Sequence, residues 1–136
     1  MRQGLSVSIL LCLAAFLAFS CAAGGLLAPI PDVTADQLHG MIARKAPVVL
    51  VDTRSEYEYR KDHLPGAILI PPYRFNDLNT LLPADKGAEL VFYCRGVGCE
   101  QSKEAAAAAS KLGYVHVSTF TGGYPAWKAK GYSLDR

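Results

Sequence analysis

The chain has 136 residues, 51% of them hydrophobic and 19% charged, which is enough for one domain with a modest core and too little for two. The formal net charge is +2 and both signs are spread along the chain without a basic block, so the composition argues against a nucleic-acid-binding protein. The sequence also lacks a repeat of solenoid length.

The first 23 residues have the pattern of a bacterial-type secretory signal. One early arginine precedes an apolar run over residues 7–19 that is too short to cross a membrane, and small residues follow. The stretch LAFSC resembles the lipobox of bacterial lipoproteins, which makes Cys21 a lipidation site, whereas cleavage near Ala23 removes it. An uncleaved anchor helix is the remaining alternative. We expect the domain to lie outside the cytoplasm, in the periplasm, and to meet a membrane only through a lipid anchor or an uncleaved signal.

The next part of the chain predicts a linker and then alternating helices and strands. Residues 24–31 form a linker rich in Gly and Pro, and we expect the domain to span residues 32–136. Thr34 and Gln37 have the spacing of a capping box at the start of the first helix. The elements then predicted, in chain order, are a buried strand at PVVLVD (47–52), a short polar helix at SEYEYRKD (55–62), a second strand at GAILIP (66–71) and a weak helix at RFNDLNTLL (74–82).

The second half of the domain continues the alternation. The predicted elements are a strand at ELVFYC (89–94), an alanine-rich helix at EQSKEAAAAASKLG (100–113), a strand at VHVSTF (115–120) and a closing helix at GYPAWKAKG (123–131). Strands that alternate with helices indicate an α/β domain with a parallel sheet and helices on both faces. Sites in such sheets form at the C-terminal ends of the strands.

Four cysteines are present, but only two belong to the domain. Cys12 lies in the signal and Cys21 is lost or lipidated, which leaves Cys94 and Cys99. One pair is not a disulfide framework of the small secreted kind. The histidines lack the spacing of zinc ligands, so we expect neither a metal nor a cofactor; they are His39, His63 and His116.

Cys94 stands at the expected C-terminal end of a strand, before a loop with two glycines and the start of the alanine-rich helix. Glycines let the loop curl and bring several N–H groups to one point, and the positive end of the helix faces the same point. Such a cradle stabilises a thiolate or a persulfide. The alternative is a buried structural cysteine that acts as a small hydrophobic residue.

Three stretches together resemble the signatures of the rhodanese family. VDTRSEYEYRKDHLPGAILIP matches the first signature at Asp52, Arg54, Glu58, Tyr59, His63, Pro65, Gly66 and Ala67. FYCRGVGCEQSKEAA resembles the catalytic loop, and FTGGYPAWKAKGY resembles the closing signature at Gly122, Gly123, Trp127 and Gly131. The resemblance covers the chain from about Pro31 to the end. It implies the rhodanese-like fold, a parallel sheet of about five strands between helices.

The family resemblance also implies a sulfurtransferase activity. Cys94 takes a sulfane sulfur as a persulfide and passes it to a nucleophile. The implied partners are a small sulfane-sulfur donor and a thiol or cyanide acceptor, with a protein sulfur acceptor as an alternative. The implied substrate-binding loop consists of Arg95, Gly96, Val97, Gly98, Cys99 and Glu100.

The sequence departs from the family pattern at three positions. Asp62 stands where members usually have Gly before the histidine, and Cys99 and Glu100 stand where common loops end with Arg or Thr followed by Ser. Glu100 weakens the positive potential that attracts thiosulfate, whereas Arg95 adds to it. The identity of the donor is therefore left open.

The other signature residues favour structural roles. Asp52 and Arg54 predict an ion pair that fixes the strand end rather than a substrate contact, because buried charges usually occur as partners. His63 predicts a turn residue bonded to the backbone, with a proton shuttle as the alternative. Glu58 belongs to the same signature, and Trp127 is expected to pack the last helix on the sheet.

The sequence is compatible with three functions. An extracytoplasmic sulfurtransferase with Cys94 as nucleophile is favoured, and a non-catalytic binding module or redox-gated sulfur carrier is the alternative. A phosphatase or arsenate reductase ranks last, because the chain after Arg95 meets no basic residue before Lys103 that would clamp an oxyanion. Cys99 has three alternatives: a disulfide with Cys94 that switches transfer off, attack on the Cys94 persulfide, or packing alone.

Overall fold

The computed structural model describes residues 28–136. The expected signal, residues 1–23, and its candidate lipidation site Cys21 lie outside the described residues. Within residues 28–136 none of the helices has the length and apolar character needed to span a bilayer.

The described residues alternate between strands and helices in the expected order. The elements are α1 (Ala35–Ala43), β1 (Val48–Asp52), α2 (Glu56–Lys61), β2 (Ile68–Leu69), a 3₁₀ helix (Pro72–Asp77), α3 (Leu78–Leu81), β3 (Glu89–Tyr93), α4 (Gln101–Lys111), β4 (His116–Phe120) and α5 (Gly123–Ala129). The capping box at Thr34 and Gln37 is present, and a second one joins Ser55 to Glu58 at the start of α2.

One parallel sheet holds the strands in the order β2-β1-β3-β4. The chain moves outward from β1 to β2 and then crosses back past β1 to reach β3. The ends of β1 and β3 therefore flank a topological switch point, where α/β sheets place their ligand sites. Asp52 ends β1 and Tyr93 ends β3, so the residues that follow them meet at this crevice.

The expectation of about five strands is corrected to four. Pro31–Val33 runs parallel to β4 and makes two hydrogen bonds with Thr119, from Val33 N to Thr119 O (2.8 Å) and from Thr119 N to Pro31 O (2.9 Å). The pairing stops at a single bridge because prolines have no N–H to donate and α1 begins directly afterwards. The second strand is also shorter than expected, because it covers only Ile68–Leu69, and Pro71 and Pro72 prevent it from continuing beyond Ile70.

Each face of the sheet carries its own hydrophobic core. The strand side chains alternate, so that Val51 and Phe92 pack on one face with the alanines of α4, whereas Leu50 and Val91 pack on the other face. The second face is covered by α1 and α5, whose core contacts include Leu38 and Trp127. The helices therefore lie on both faces, as the sequence predicted.

Candidate active site

A buried ion pair lies at the end of β1. Arg54 donates from Nε and Nη2 to the carboxylate of Asp52, with the shortest contact at 2.7 Å, and the two side chains are 3% and 0% exposed. Arg54 also donates to the carbonyl of Asp62 (2.8 Å), which ties α2 to the strand end. Asp62 itself is extended, with φ −169°, a conformation that any residue adopts, so the usual glycine is not needed there.

Two tyrosines complete the surroundings of this ion pair. Tyr93 donates from its hydroxyl to Asp52 Oδ2 at 2.5 Å and accepts from Leu64 N at 3.1 Å. Burial and then the negative charge of Asp52 raise the pKa of Tyr93 far above its ordinary value, so the hydroxyl stays protonated. The ring of Tyr124 lies 4.3 Å from the guanidinium carbon of Arg54. Every charge of the pair therefore has a partner inside the protein, and the arrangement holds structure together.

Cys94 follows β3 and opens the loop 95–100. Its side chain is 1% exposed, and the structure joins it to Cys99 in a disulfide with the two Cα atoms 6.3 Å apart. Gly96 and Gly98 both have positive φ, 119° and 89°, and these left-handed residues curl the loop so that its ends meet. Cys99 N donates to Gly96 O at 3.0 Å and closes the turn. In this form the Cys94 sulfur is bonded to carbon and to sulfur and is not a nucleophile.

The floor of the loop is formed by the closing signature. Tyr124 N donates to Cys94 O (2.9 Å), and Gly123 lies directly beneath with φ 57°. A Cβ added at Gly123 would stand 2.4 Å from Cys94 O and 2.7 Å from Gly96 N. Only a glycine fits this contact, so the start of α5 fixes the position of Cys94.

Arg95 is held by two side chains at the mouth of the loop. It donates from Nε to Glu58 Oε1 (2.7 Å) and from Nη1 to Gln101 Oε1 (3.1 Å). Burial raises the pKa of Glu58, but the hydrogen bonds from Arg95 and Ser55 outweigh it and lower that pKa to about 2. The positive charge expected beside Cys94 is present, but it is paired with a carboxylate.

Gln101, the first residue of α4, is a site residue that the sequence did not single out. Its side-chain oxygen lies 3.3 Å from Cys94 Sγ and 3.7 Å from Cys99 Sγ. The hydrogen bond from Arg95 fixes the amide with the oxygen toward both sulfurs, because an arginine only donates. The signal was its place at the helix start, one residue beyond the last loop position that the resemblance assigned.

The remaining signature residues lie around the site rather than in it. His63 Nδ1 donates to Tyr59 O (2.9 Å) and the two rings stack, while the main chain of His63 pairs with Asp135. Trp127 is fully buried in the core and donates to Ser133 O (2.8 Å). These contacts are those of a turn residue and a packing residue.

Two further residues of the loop face outward. Glu100 pairs with Lys103 on the surface of the first turn of α4 (3.0 Å). Val97 is 94% exposed at the tip of the loop, which leaves an apolar side chain beside the site without cover from residues 28–136.

An open cleft of about 370 Å³ lies beside the loop, between α2 and α5. Its lining combines basic, acidic and aromatic side chains, namely Arg54, Tyr57, Glu58, Lys61, Asp62, Arg95, Tyr124 and Lys128. A second open groove on the other side of Arg95 includes Gln101 and the exposed Tyr73. Arg95 therefore lines both openings.

The fold and the cysteine loop define a rhodanese-like domain. The family model described as "Rhodanese-like domain" matches residues 34–130, and the chain belongs to this family. The chain is 32% identical over 95 residues to the thiosulfate:glutathione sulfurtransferase of Saccharomyces cerevisiae, covering 62% of this chain and 67% of that protein.

Another relative is the HTH-type transcriptional regulator Rv0324 of Mycobacterium tuberculosis, which is 35% identical over 88 residues. That match covers 65% of this chain but only 38% of the regulator, so the chain spans well under half of that relative. The resemblance therefore concerns one part of a longer protein.

Solved structures share the fold. The BH2092 protein of Bacillus halodurans superposes with a TM-score of 0.70 at 26% identity, covering 77% of this chain and 76% of that one. The rhodanese-like domain of the Alr3790 protein of Anabaena sp. gives a TM-score of 0.68 at 26% identity, covering 79% and 80%.

Proposed function

We propose that the dithiol form of this protein is a sulfurtransferase that carries a sulfane sulfur on Cys94. The observation that supports it most strongly is the placement of Cys94 at the switch point, in a glycine loop that leads directly into the N-terminus of α4. The dipole of an 11-residue helix favours negative charge at this end, and a thiolate or a persulfide supplies it.

The reaction has two steps. The Cys94 thiolate attacks the outer sulfur of the donor, and the remainder of the donor leaves with the electrons of its S–S bond. A thiol or cyanide acceptor then attacks the outer sulfur of the persulfide and releases Cys94. The name of the yeast relative pairs thiosulfate with glutathione, and these are the first donor and acceptor to examine.

The cleft beside the loop suits charged acceptors. Lys61 and Lys128 line it without an ion pair among residues 28–136, and they offer positive charge to the carboxylates of a small thiol. The export signal expected at residues 1–23 supports a location outside the cytoplasm, where a disulfide between Cys94 and Cys99 persists until a reductant arrives.

The test uses protein that has been reduced and then freed of reductant. We expect it to form thiocyanate from thiosulfate and cyanide, and we expect its Cys99→Ser variant to gain the mass of one sulfur atom when the acceptor is omitted. Cys94→Ala is expected to lose both properties, because its loop has no other sulfur at the end of β3. Reduced wild-type protein that neither takes up sulfur nor forms thiocyanate from thiosulfate or a polysulfide would favour a binding module instead.

A further inference from the structure

The second cysteine of the loop reaches the same sulfur that carries the persulfide. The disulfide joins Cys99 Sγ to Cys94 Sγ, and the two Cα atoms are 6.3 Å apart, within the range that a disulfide spans. In a persulfide, Cys94 Sγ is the inner sulfur. The backbone therefore already permits Cys99 to attack the inner sulfur and displace the outer one.

Gln101 lies close to both sulfurs of the loop. Its amide oxygen faces both sulfurs, at 3.3 Å and 3.7 Å, and Arg95 keeps it in that orientation. An amide oxygen accepts a hydrogen bond from a thiol but repels a thiolate or a persulfide anion. In the reduced loop, an acceptor at this position would receive the Cys99 S–H, and it offers the anionic persulfide no stabilisation from that side.

The two sulfurs differ in their access to solvent. Cys94 is 1% exposed, whereas Cys99 is half-buried and follows the exposed residues Val97 and Gly98. A thiol from outside therefore reaches the disulfide through Cys99 Sγ. Cys94 is then the leaving group, and its thiolate forms at the N-terminus of α4, where the helix dipole favours negative charge.

We propose a second activity that rests on the sulfurtransferase function: Cys99 resolves the Cys94 persulfide and releases its outer sulfur as hydrosulfide. The Cys99 thiol gives up its proton and forms a bond to Cys94 Sγ. The bond between Cys94 Sγ and the outer sulfur breaks, and the outer sulfur leaves with the bonding electrons and the proton as HS⁻. The two cysteines lose two electrons to become the disulfide, and the sulfane sulfur gains them.

A dithiol reductant completes the cycle. Its first thiolate attacks Cys99 Sγ and expels the Cys94 thiolate, and its second thiol then attacks the mixed disulfide and frees Cys99. The net reaction converts a sulfane sulfur and a dithiol into hydrosulfide and a disulfide. The structure, with Cys94 and Cys99 joined, corresponds to the oxidised member of this cycle.

The experiment is a single turnover of the full chain without reductant or acceptor. The protein is reduced, freed of reductant under anaerobic conditions and mixed with equimolar thiosulfate, and then sulfite and hydrosulfide are measured. Wild-type protein is expected to release both in amounts equal to the protein. Cys99→Ser is expected to release sulfite alone and to retain the sulfur on Cys94. Cys94→Ala is expected to release neither.

Trypsin reports the disulfide at the residues themselves, because Arg95 lies between the two cysteines. Cleavage after Lys86, Arg95 and Lys103 puts Cys94 in the peptide 87–95 and Cys99 in the peptide 96–103. After alkylation of free thiols, these peptides are expected to be joined in wild-type protein that has received the donor and separate in protein that has not. Cys12 and Cys21 fall in a different peptide and do not disturb the measurement.

The outcomes separate this inference from the function on which it rests. Absence of sulfite from both wild type and Cys99→Ser, together with no uptake of sulfur from a polysulfide, contradicts the sulfurtransferase function itself. Wild-type protein that releases sulfite, keeps the sulfur and yields the two cysteine peptides unlinked would contradict only the resolution by Cys99. The sulfurtransferase function would stand. An extra sulfur on the peptide 96–103 also overturns the resolution by Cys99, because Cys99 would then have attacked the outer sulfur and become a carrier.

Discussion

At the scale of single residues, the position of Cys94 depends on a glycine that lies 29 residues later in the chain. Gly123 supports the Cys94 carbonyl so closely that a methyl group would come within 2.4 Å of it. The proposed nucleophile and the residue that positions it therefore belong to different signatures. Neither stretch, read separately, explains why the loop adopts its shape.

Gly123→Ala tests this contact, and Gly131→Ala is its matched control. Both glycines have positive φ, 57° and 72°, but a Cβ at Gly131 meets nothing within 4 Å. The control is expected to lose about 1 kcal/mol of unfolding free energy from backbone strain alone. Gly123→Ala is expected to lose a further 1–3 kcal/mol or so of unfolding free energy, because the backbone must move. It is also expected to lose most of its thiocyanate formation. Urea unfolding and single-turnover rates measure the two effects.

Equal unfolding free energies and equal rates in the two alanine variants would contradict the supporting role of Gly123. A loss of stability in Gly123→Ala without a loss of rate would show that the contact stabilises the fold but is not needed to position Cys94 for the reaction.

At the scale of elements, α2 and the cysteine loop are joined by one carboxylate. Glu58 closes the capping box with Ser55 at the start of α2 and also binds Arg95, 37 residues later in the chain. Gln101 extends the connection to α4 through Arg95. A single charged group thus links a helix end to the mouth of the site, and its ionisation affects both.

The pKa of Glu58 makes this link dependent on pH. Its folded value of about 2 lies below the ordinary 4.5, so the stabilisation is complete above pH 4.5 and is lost as the pH falls toward 2. Wild-type protein is expected to unfold at higher urea concentration than Glu58→Gln near pH 7, and the difference is expected to shrink across this acidic range. Urea unfolding of both proteins from pH 7 down to pH 3 provides the measurement.

Glu56→Gln is the matched control, because Glu56 lies on the same helix and pairs with Arg60 on the surface. Exposed pairs of this kind contribute little to stability. A difference between wild type and Glu58→Gln that stays constant across the acidic range would show that Glu58 acts without its charge.

At the scale of the whole molecule, the Asp52–Arg54 pair joins more elements than any other ion pair among residues 28–136. It lies at the end of β1 and reaches α2 through Asp62 and β3 through Tyr93. The sheet and helix α2 are therefore both tied to this buried ion pair. Its loss is expected to affect global unfolding rather than the loop alone.

Asp52→Ala is expected to cost roughly 3–5 kcal/mol of unfolding free energy, because the guanidinium of Arg54 is left buried without its partner. Asp77→Ala is the control, since it breaks the exposed pair with Arg74 and is expected to stay within about 0.5 kcal/mol of wild type. Thermal and urea unfolding of the two variants provide the comparison. An unchanged melting temperature together with lost activity would instead place Asp52 in the site.

Local patterns predicted the elements of this domain well, because those patterns act over a few residues. The capping box at Thr34 and the alanine-rich helix that begins after the loop were both identified from spacing and composition. Local patterns also predicted the four strands that are present. The count of about five that the family resemblance implied is one too high, because the pairing of the Pro31 segment with β4, more than 80 residues away, stops at a single bridge.

The parts of the candidate site that are formed by one continuous stretch of chain could be predicted from the sequence. The contacts between residues of two distant stretches could not. Cys94 and its glycine loop could be identified together from the sequence. The partners of Arg95 could not, because Glu58 lies on a separate helix and only the crossing of the chain at the switch point brings it near. Gln101 directly follows the loop in sequence, but the orientation of its side chain toward the two sulfurs depends on the hydrogen bond from Arg95.

The single bridge beside β4 has a consequence for contacts between molecules. An open sheet edge attracts the strands of other chains, since its N–H and C=O groups lack partners. Here the segment around Pro31 occupies part of the β4 edge, and its prolines present no donor row of their own. The opposite edge, β2, is two residues long, and Pro71 and Pro72 follow shortly after its last residue, Leu69. Both edges of this sheet are therefore poor templates for edge-to-edge aggregation.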